Sequence, residues 1–207
     1  MLAPLYAILD VDILTTRDLE PLEVLSAWLD AGVRLVQLRA KSLGAGSFVT
    51  LADTIASQCR TAGATFIVND RADVAAMSGA DGVHVGQEDL LPADVRRIVG
   101  PTSIVGQSTH NELQVERALA QPIDYLAIGP VFQTTSKESA WPEVGLIGVR
   151  RAVEQSAGRL PVVAIGGITI DHARAVIDAG ATSVAVISDL LVGPVADRAR
   201  EYLRALA

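Results

Sequence analysis

Four stretches of this chain repeat one pattern, and that pattern restricts the fold more than any other feature. DAGVRLVQLRA, TAGATFIVNDR, MSGADGVHVGQ and DAGATSVAVIS each carry a helix-like end, a small residue beside Gly, an apolar run and then polar residues. QPIDYLAIGPV is a variant without the Gly. Gly just past a helix suits the left-handed cap that ends helices. The runs LVQL, FIV, VHV, LAI and VAVI are short and rich in Val and Ile. Nearly continuous apolar runs of this length suit strands buried on both faces, as in a parallel sheet. LYAIL, SIVGQS and PVVAIG complete a set of eight candidates, starting near residues 5, 33, 65, 82, 103, 124, 161 and 183. Helix-like stretches such as DLEPLEVLSAWLDAG and TIDHARAVIDAG lie between them. Asp18, Thr109 and Thr169 are of types that cap helix N-termini. Eight alternating units in 207 residues predict an α/β fold, a single-domain (β/α)8 TIM barrel over residues 1–207. An open doubly wound sheet is the competing arrangement, because periodicity alone does not close a sheet.

Composition narrows the function classes. Half of the residues are hydrophobic, enough for a sizeable core, yet charges interrupt every long apolar stretch. None reaches the roughly 18 residues of a membrane helix, so no membrane partner is expected. MLAPLYAILDVD has no basic start, and no signal peptide is expected. The single cysteine, Cys59, cannot form an internal disulfide, and its helical position reads as core. That usage fits a cytoplasmic protein. A net charge of −7 without a basic block disfavours nucleic acid. Assembly into a homo-oligomer stays open. An anionic ligand would need positive groups gathered locally.

In parallel α/β folds, ligands sit at the carboxyl ends of the strands. Polar residues that end the apolar runs therefore converge on one mouth. A single Asp there would need no more than a helix-capping role, but the set is larger. It comprises Gln37, Arg39 and Lys41, then Asn69 and Asp70, then Asp89 with Gln87 and Glu88 nearby. Ser108, Thr109 and His110 follow, then Thr134, Thr135, Ser136 and Lys137, then Gly166 and Gly167, and finally Ser188. The cations and neutral donors suit phosphate oxygens. Asp70 and Asp89 would repel phosphate, but they suit Mg2+, which takes one or two carboxylates and bridges to phosphate. No Cys/His cluster suggests zinc. The loops after strands 7 and 8 predict a second anion site, where AIGGI lets a ligand approach backbone amides. The set predicts small phosphorylated substrates and a group transfer without a covalent nucleophile. His84, inside a strand, reads as barrel lining. His110 could cap a helix, and His172 falls on the early turn of a late helix. Trp28 reads as core, and Trp141 as a loop anchor or a cover for the mouth.

With these residues assembled, the chain resembles the thiamine phosphate synthase family over nearly its whole length. The motifs are QLRAK (37–41), NDRADVA (69–75), GADGVHVGQEDL (79–90), STH (108–110), GPVFQTTSK (129–137), AIGGI (164–168) and VAVIS (184–188). The resemblance implies a transferase joining a pyrimidine-methyl diphosphate to a thiazole phosphate, or its carboxylated form, with release of pyrophosphate. It implies that Gln37, Arg39, Lys41, Asn69, Ser108 and Lys137 surround the pyrimidine diphosphate. Among these, Arg39, Lys41, Ser108 and Lys137 would assist its departure. Asp70 and Asp89 would hold Mg2+. Thr134, Thr135, Ser136, Gly167, Ile187 and Ser188 would hold the thiazole phosphate. Two departures stand out. The family commonly has Glu where this chain has Ala40, and Pro-Thr-Pro-Thr-Lys where this chain has QTTSK. Strand parity places Leu35, Gln37 and Arg39 on one side and Val36, Leu38 and Ala40 on the other, so Ala40 is expected to face the helices. The alternatives are a thiazole tautomerase-like isomerase on the same barrel and a non-catalytic phosphometabolite-binding barrel.

Overall fold

The computed structural model of the chain describes residues 2–134 and 141–207. Its strands are β1 (Leu5–Asp10), β2 (Leu35–Arg39), β3 (Thr65–Asn69), β4 (Gly82–Val85), β5 (Ile104–Thr109), β6 (Tyr125–Ile128), β7 (Val162–Ile165) and β8 (Ser183–Val186). The helices are α1 (Val11–Thr16), α2 (Pro21–Ala31), α3 (Ala45–Ala62), α4 (Ala72–Ser78), α5 (Pro92–Val99), α6 (Glu112–Ala118), α7 (Gly145–Ser156), α8 (Ile170–Asp178) and α9 (Val195–Leu206). A short 3-10 turn, Ser188–Leu191, follows β8. The strands pair in chain order and in parallel, and β1 pairs with β8 through Leu5↔Val184, Tyr6↔Ala185 and Ala7↔Val186. That last ladder decides between the two arrangements left open by periodicity: the sheet is a closed barrel.

The repeat ends helices as expected. Gly32, Gly63 and Gly79 stand at the C-caps of α2, α3 and α4 in the left-handed conformation. The N-caps differ from expectation. Asp10 caps α1 by accepting from the Asp12 and Ile13 amides, and Asn111 caps α6 by accepting from the Gln114 amide. Thr109 is instead the last residue of β5, and its hydroxyl donates to the Ala127 carbonyl. Asp18 sits in a left-handed loop position ahead of α2. Thr169 occupies the N-cap of α8 without a side-chain cap bond.

Alternation along the strands divides the core in two. Val36, Leu38 and Ala40 join the layer between barrel and helices, with Trp28 and Cys59. Burial pushes the Cys59 thiol up to about 12, with the Asp81 charge adding to it, so the group stays a neutral packing element. Tyr6, Ile8, Leu35, Ile67, Tyr125, Ala127, Val163 and Ala185 fill the barrel interior. The parity expected for residues 35–40 therefore holds, and Ala40 faces the helices.

One glycine makes the interior possible. A Cβ on Gly106 would lie 2.1 Å from Tyr125 Cζ, because the Tyr125 ring crosses the β5 backbone there. Gly106→Ala must displace that ring, and overpacking of this kind costs about 1–3 kcal/mol. Urea unfolding is expected to show that loss. Gly46→Ala, on α3 with open space around it, should instead gain about 0.5–1 kcal/mol.

Candidate active site

The carboxyl ends of the strands open into one cavity of about 620 Å³. Arg39, Lys41, Asn69, Asp70, Asp89, Ser108, Thr134, Gly167, Ile187 and Ser188 line it, as do His84 and Arg17. Gln37 does not. It is buried below the mouth, 3% exposed, with its amide nitrogen donating to the Tyr6 hydroxyl at 2.8 Å. Thr135, Ser136 and Lys137 lie outside the described residues.

The cations at and just after the end of β2 arrive with carboxylate partners. Arg39 Nη1 donates to Asp10 Oδ2 at 2.5 Å, and the Asp10 side chain is fully buried. Register explains the pair, since Asp10 and Arg39 are direct neighbours on β1 and β2. Lys41 Nζ lies 2.8 Å from Asp70 Oδ2. Just behind, Asp12 accepts from the Lys41 and Ser42 amides and from the Ser42 hydroxyl, which pins the turn after β2. Burial pushes the Asp12 carboxyl upward, but the Ser42 and Lys41 hydrogen bonds together outweigh it and hold the group below the usual range.

Asp70 and Asp89 come from adjacent strand ends. Asp70 has a left-handed φ of 62°, and its amide donates to the His84 carbonyl, which turns the chain immediately after β3. Asp89 Oδ2 accepts from the Gly86 amide at 2.7 Å. Burial holds Asp89 above the ordinary carboxylate range. The neighbouring Asp70 carboxylate adds to that, against the opposing Gly86 amide and Lys41 charge.

The β7–β8 side is built from backbone. Gly166 and Gly167 both have positive φ, at 99° and 66°. A Cβ on Gly167 would lie 2.4 Å from the Gln133 carbonyl oxygen. The pair is thus required by a tight turn and by close packing of the segment after β6, and it also borders the cavity. Val131 and Phe132 donate to the Ile165 and Gly166 carbonyls, which carries that segment alongside the turn and brings Thr134 to the cavity. Behind Ser188, Asp189 is held by Arg198, by the Tyr202 hydroxyl and by the Ile170 amide.

A family model described as "Thiamine monophosphate synthase" matches residues 5–190. A thiamine-phosphate synthase from Koribacter versatilis is 47% identical over 204 residues, covering 98% of this chain and 95% of its own. The chain belongs to the thiamine monophosphate synthase family. A second relative, from Chlorobium luteolum, is 37% identical over 194 residues, covering 94% of this chain and 91% of its own. Among solved structures, thiamine phosphate pyrophosphorylase from Pyrococcus furiosus superposes with a TM-score of 0.86 at 32% identity, covering 98% of this chain and 94% of that one.

Several site features escaped the sequence. Asp10 ends the first apolar run, at the same parity as Tyr6 and Ile8, and that position was the available signal. Arg17 lines the cavity by donating to the Leu191 carbonyl at 3.2 Å, which nothing local in the sequence indicates. His84 lines the barrel as expected and also reaches Ser108 at 2.8 Å. His110 does not cap α6; its ring contacts the Gly129 carbonyl and stacks on Trp141 at 5.1 Å, beside the cavity. His172 lies on the first turn of α8 against Phe132. No helix among the described residues is long and apolar enough to cross a membrane.

The Asp10–Arg39 pair yields a stability prediction. Asp10→Ala leaves the guanidinium, 16% exposed, without its partner and removes the cap of α1. Loss of one member of a largely buried pair costs about 3–5 kcal/mol. Chemical denaturation should find a loss of that order, with Asp10→Asn losing less because its carbonyl still caps α1.

Proposed function

We propose that this protein is a thiamine phosphate synthase, joining an aminopyrimidine-methyl diphosphate to a thiazole phosphate or its carboxylated form and releasing pyrophosphate. The observation that carries the reading is the charge arrangement of the mouth. Its described lining holds three cationic side chains, Arg17, Arg39 and Lys41, against four carboxylates, Asp70, Glu88, Asp89 and Asp189. Arg39 and Lys41 are moreover already paired. A diphosphate would be repelled from such a mouth unless a divalent cation accompanied it.

The donor set fits Mg2+. Asp70 and Asp89 offer two carboxylates held close enough to raise Asp89, and a cation between them would relieve that repulsion. Among the described residues no group of three or more His, Cys, Asp or Glu could hold a metal. Two carboxylates completed by water and substrate oxygens suit magnesium and do not suit a closed zinc site. When bound there, Mg2+ would neutralise charge on the leaving pyrophosphate. Lys41, anchored by Asp70, and Arg39, oriented by Asp10, would add donors on the same side. Asn69 would meet the pyrimidine, and Ser108 would donate to the diphosphate. Lys137, by resemblance, would serve that same group. Thr134, Gly167, Ile187 and Ser188, with Thr135 and Ser136, would seat the thiazole phosphate. The C–O bond breaks with its electron pair going to pyrophosphate, and the thiazole nitrogen forms the new bond to the methylene carbon. Alignment of the two substrates in one mouth is the enzyme's other contribution.

Pyrophosphate release from the two substrates, with and without magnesium, tests the reading. Turnover separates a synthase from an isomerase and from a non-catalytic barrel, and no release by the wild type would discard the proposal. Asp89→Asn keeps an oxygen for the Gly86 amide, so it should stay folded while losing at least about a hundredfold in magnesium-dependent turnover, two decades being about 2.7 kcal/mol. Unchanged turnover and magnesium dependence would remove Asp89 from the metal site. Lys137→Ala should lower kcat more than it raises the thiazole phosphate KM, as expected for a contact made in the transition state. A pure rise in that KM would move Lys137 to the other subsite.

A further inference from the structure

A column of polar side chains runs up the inside of the barrel, and packing alone does not explain it. Gln37 Nε2 donates to the Tyr6 hydroxyl at 2.8 Å. Tyr6 and Tyr125 hydroxyls lie 3.1 Å apart. Tyr125 reaches His84 Nδ1 at 2.9 Å, and His84 Nε2 reaches Ser108 Oγ at 2.8 Å. The five residues come from β2, β1, β6, β4 and β5 in that order. All but Ser108 are buried. Elsewhere at this depth the interior is filled by Ile8, Leu35, Ile67 and Val163. Burying two phenols, an amide and an imidazole is costly unless every group is satisfied, so an apolar filling would be the simpler solution. The column ends at Ser108, on the wall of the cavity.

Its hydrogen-bond order follows from one end. An amide nitrogen only donates, so Tyr6 accepts from Gln37, and the Tyr125 oxygen at 3.1 Å is the acceptor that satisfies the Tyr6 hydrogen. Tyr125 then donates to His84 Nδ1. A neutral imidazole that accepts at Nδ1 carries its proton on Nε2, which faces Ser108 Oγ. Ser108 Oγ accepts a hydrogen bond from that N–H, and its own hydroxyl hydrogen is left to point into the cavity. Burial raises both phenols well above their ordinary range, so both stay protonated and the order persists. Tyr125 and His84 also stack, with centroids 5.5 Å apart, which fixes the ring plane.

We propose that His84 is a positioning residue for the transfer reaction: ordered by Tyr125, Tyr6 and Gln37, it holds Ser108 as a hydrogen-bond donor toward the departing diphosphate. This rests on the synthase reading above. The proton stays on Ser108 throughout, and pyrophosphate leaves with the bonding pair. The column thereby converts the orientation of one buried amide, at Gln37, into the orientation of a hydroxyl at the mouth. It also gives Gln37, buried below the cavity, a part in ordering the column.

Two measurements test this. Nitrogen-15 NMR of labelled histidine reads the His84 tautomer without turnover; His84→Gln identifies its signals among the three histidines. The expected result is a protonated Nε2 and a bare Nδ1 in the wild type, with that preference lost in Tyr125→Phe. A protonated Nδ1 in the wild type would reverse the column and overturn the proposal. Steady-state pyrophosphate release then compares wild type, Tyr125→Phe, Ser108→Ala and the double variant. Tyr125→Phe conserves volume and should lower kcat about tenfold, the value of one hydrogen bond, with both KM values within about twofold. In a Ser108→Ala background the same change should have no further effect, because its action passes through Ser108. Equal losses in both backgrounds, or no loss in either, would overturn the positioning role. A wild type without turnover would sink the synthase reading and the role in that reaction with it. The imidazole signals distinguish that outcome from a failure of the hydrogen-bond order.

Discussion

Strands of four to six residues, such as β4 and β1, are too short to be stable alone, and an open row of them would expose an unpaired edge at each end. The β1–β8 ladder removes both edges, and the rest of the molecule depends on it. Once the row is closed, each strand has two fixed neighbours and a fixed height. Asp10 then meets Arg39, and Asn69 stands beside His84. Tyr6 and Tyr125, 119 residues apart, touch across the interior.

The mouth combines two uses of charge. Carboxylates hold the β2 cations in place: Asp10 orients Arg39 and Asp70 engages Lys41. Asp12 contributes from behind by binding the backbone that follows β2. The result is a preorganised array with little surplus positive charge among its described residues. The β7–β8 side works differently, through backbone turns with no Cβ in the way, and Asp189 ties the turn after β8 to α8 and α9.

Ala40, where the family commonly has Glu, faces the helices rather than the mouth. Its side chain lies in the layer between barrel and helices, and it borders a small hollow of about 130 Å³ together with Leu43, Phe48 and the mouth residues Lys41, Asn69 and Asp70. The neighbouring Arg39 points the other way, into the mouth. Alternation at the end of β2 turns the two side chains to opposite faces although they are adjacent in the chain.

The sequence by itself determined the units, their order and the parity of their side chains. Helix caps, apolar run lengths and strand-end polar groups are local signals, and each strand needs both faces covered. From these came the barrel, the mouth, and the placing of Arg39, Lys41, Asn69, Asp70, Asp89 and Ser108 on one cavity. The N-caps were misplaced at Asp18 and Thr109, because residue type alone does not say where the preceding element stops: Asp18 follows α1, and Thr109 still belongs to β5. Only the tertiary structure decided closure, the burial of Gln37 below the mouth, the pairing of Asp10 with Arg39, and the contact of His84 with Ser108. Parity along a strand is local. The height of a residue and its partner across the barrel depend on the register of all eight ladders together.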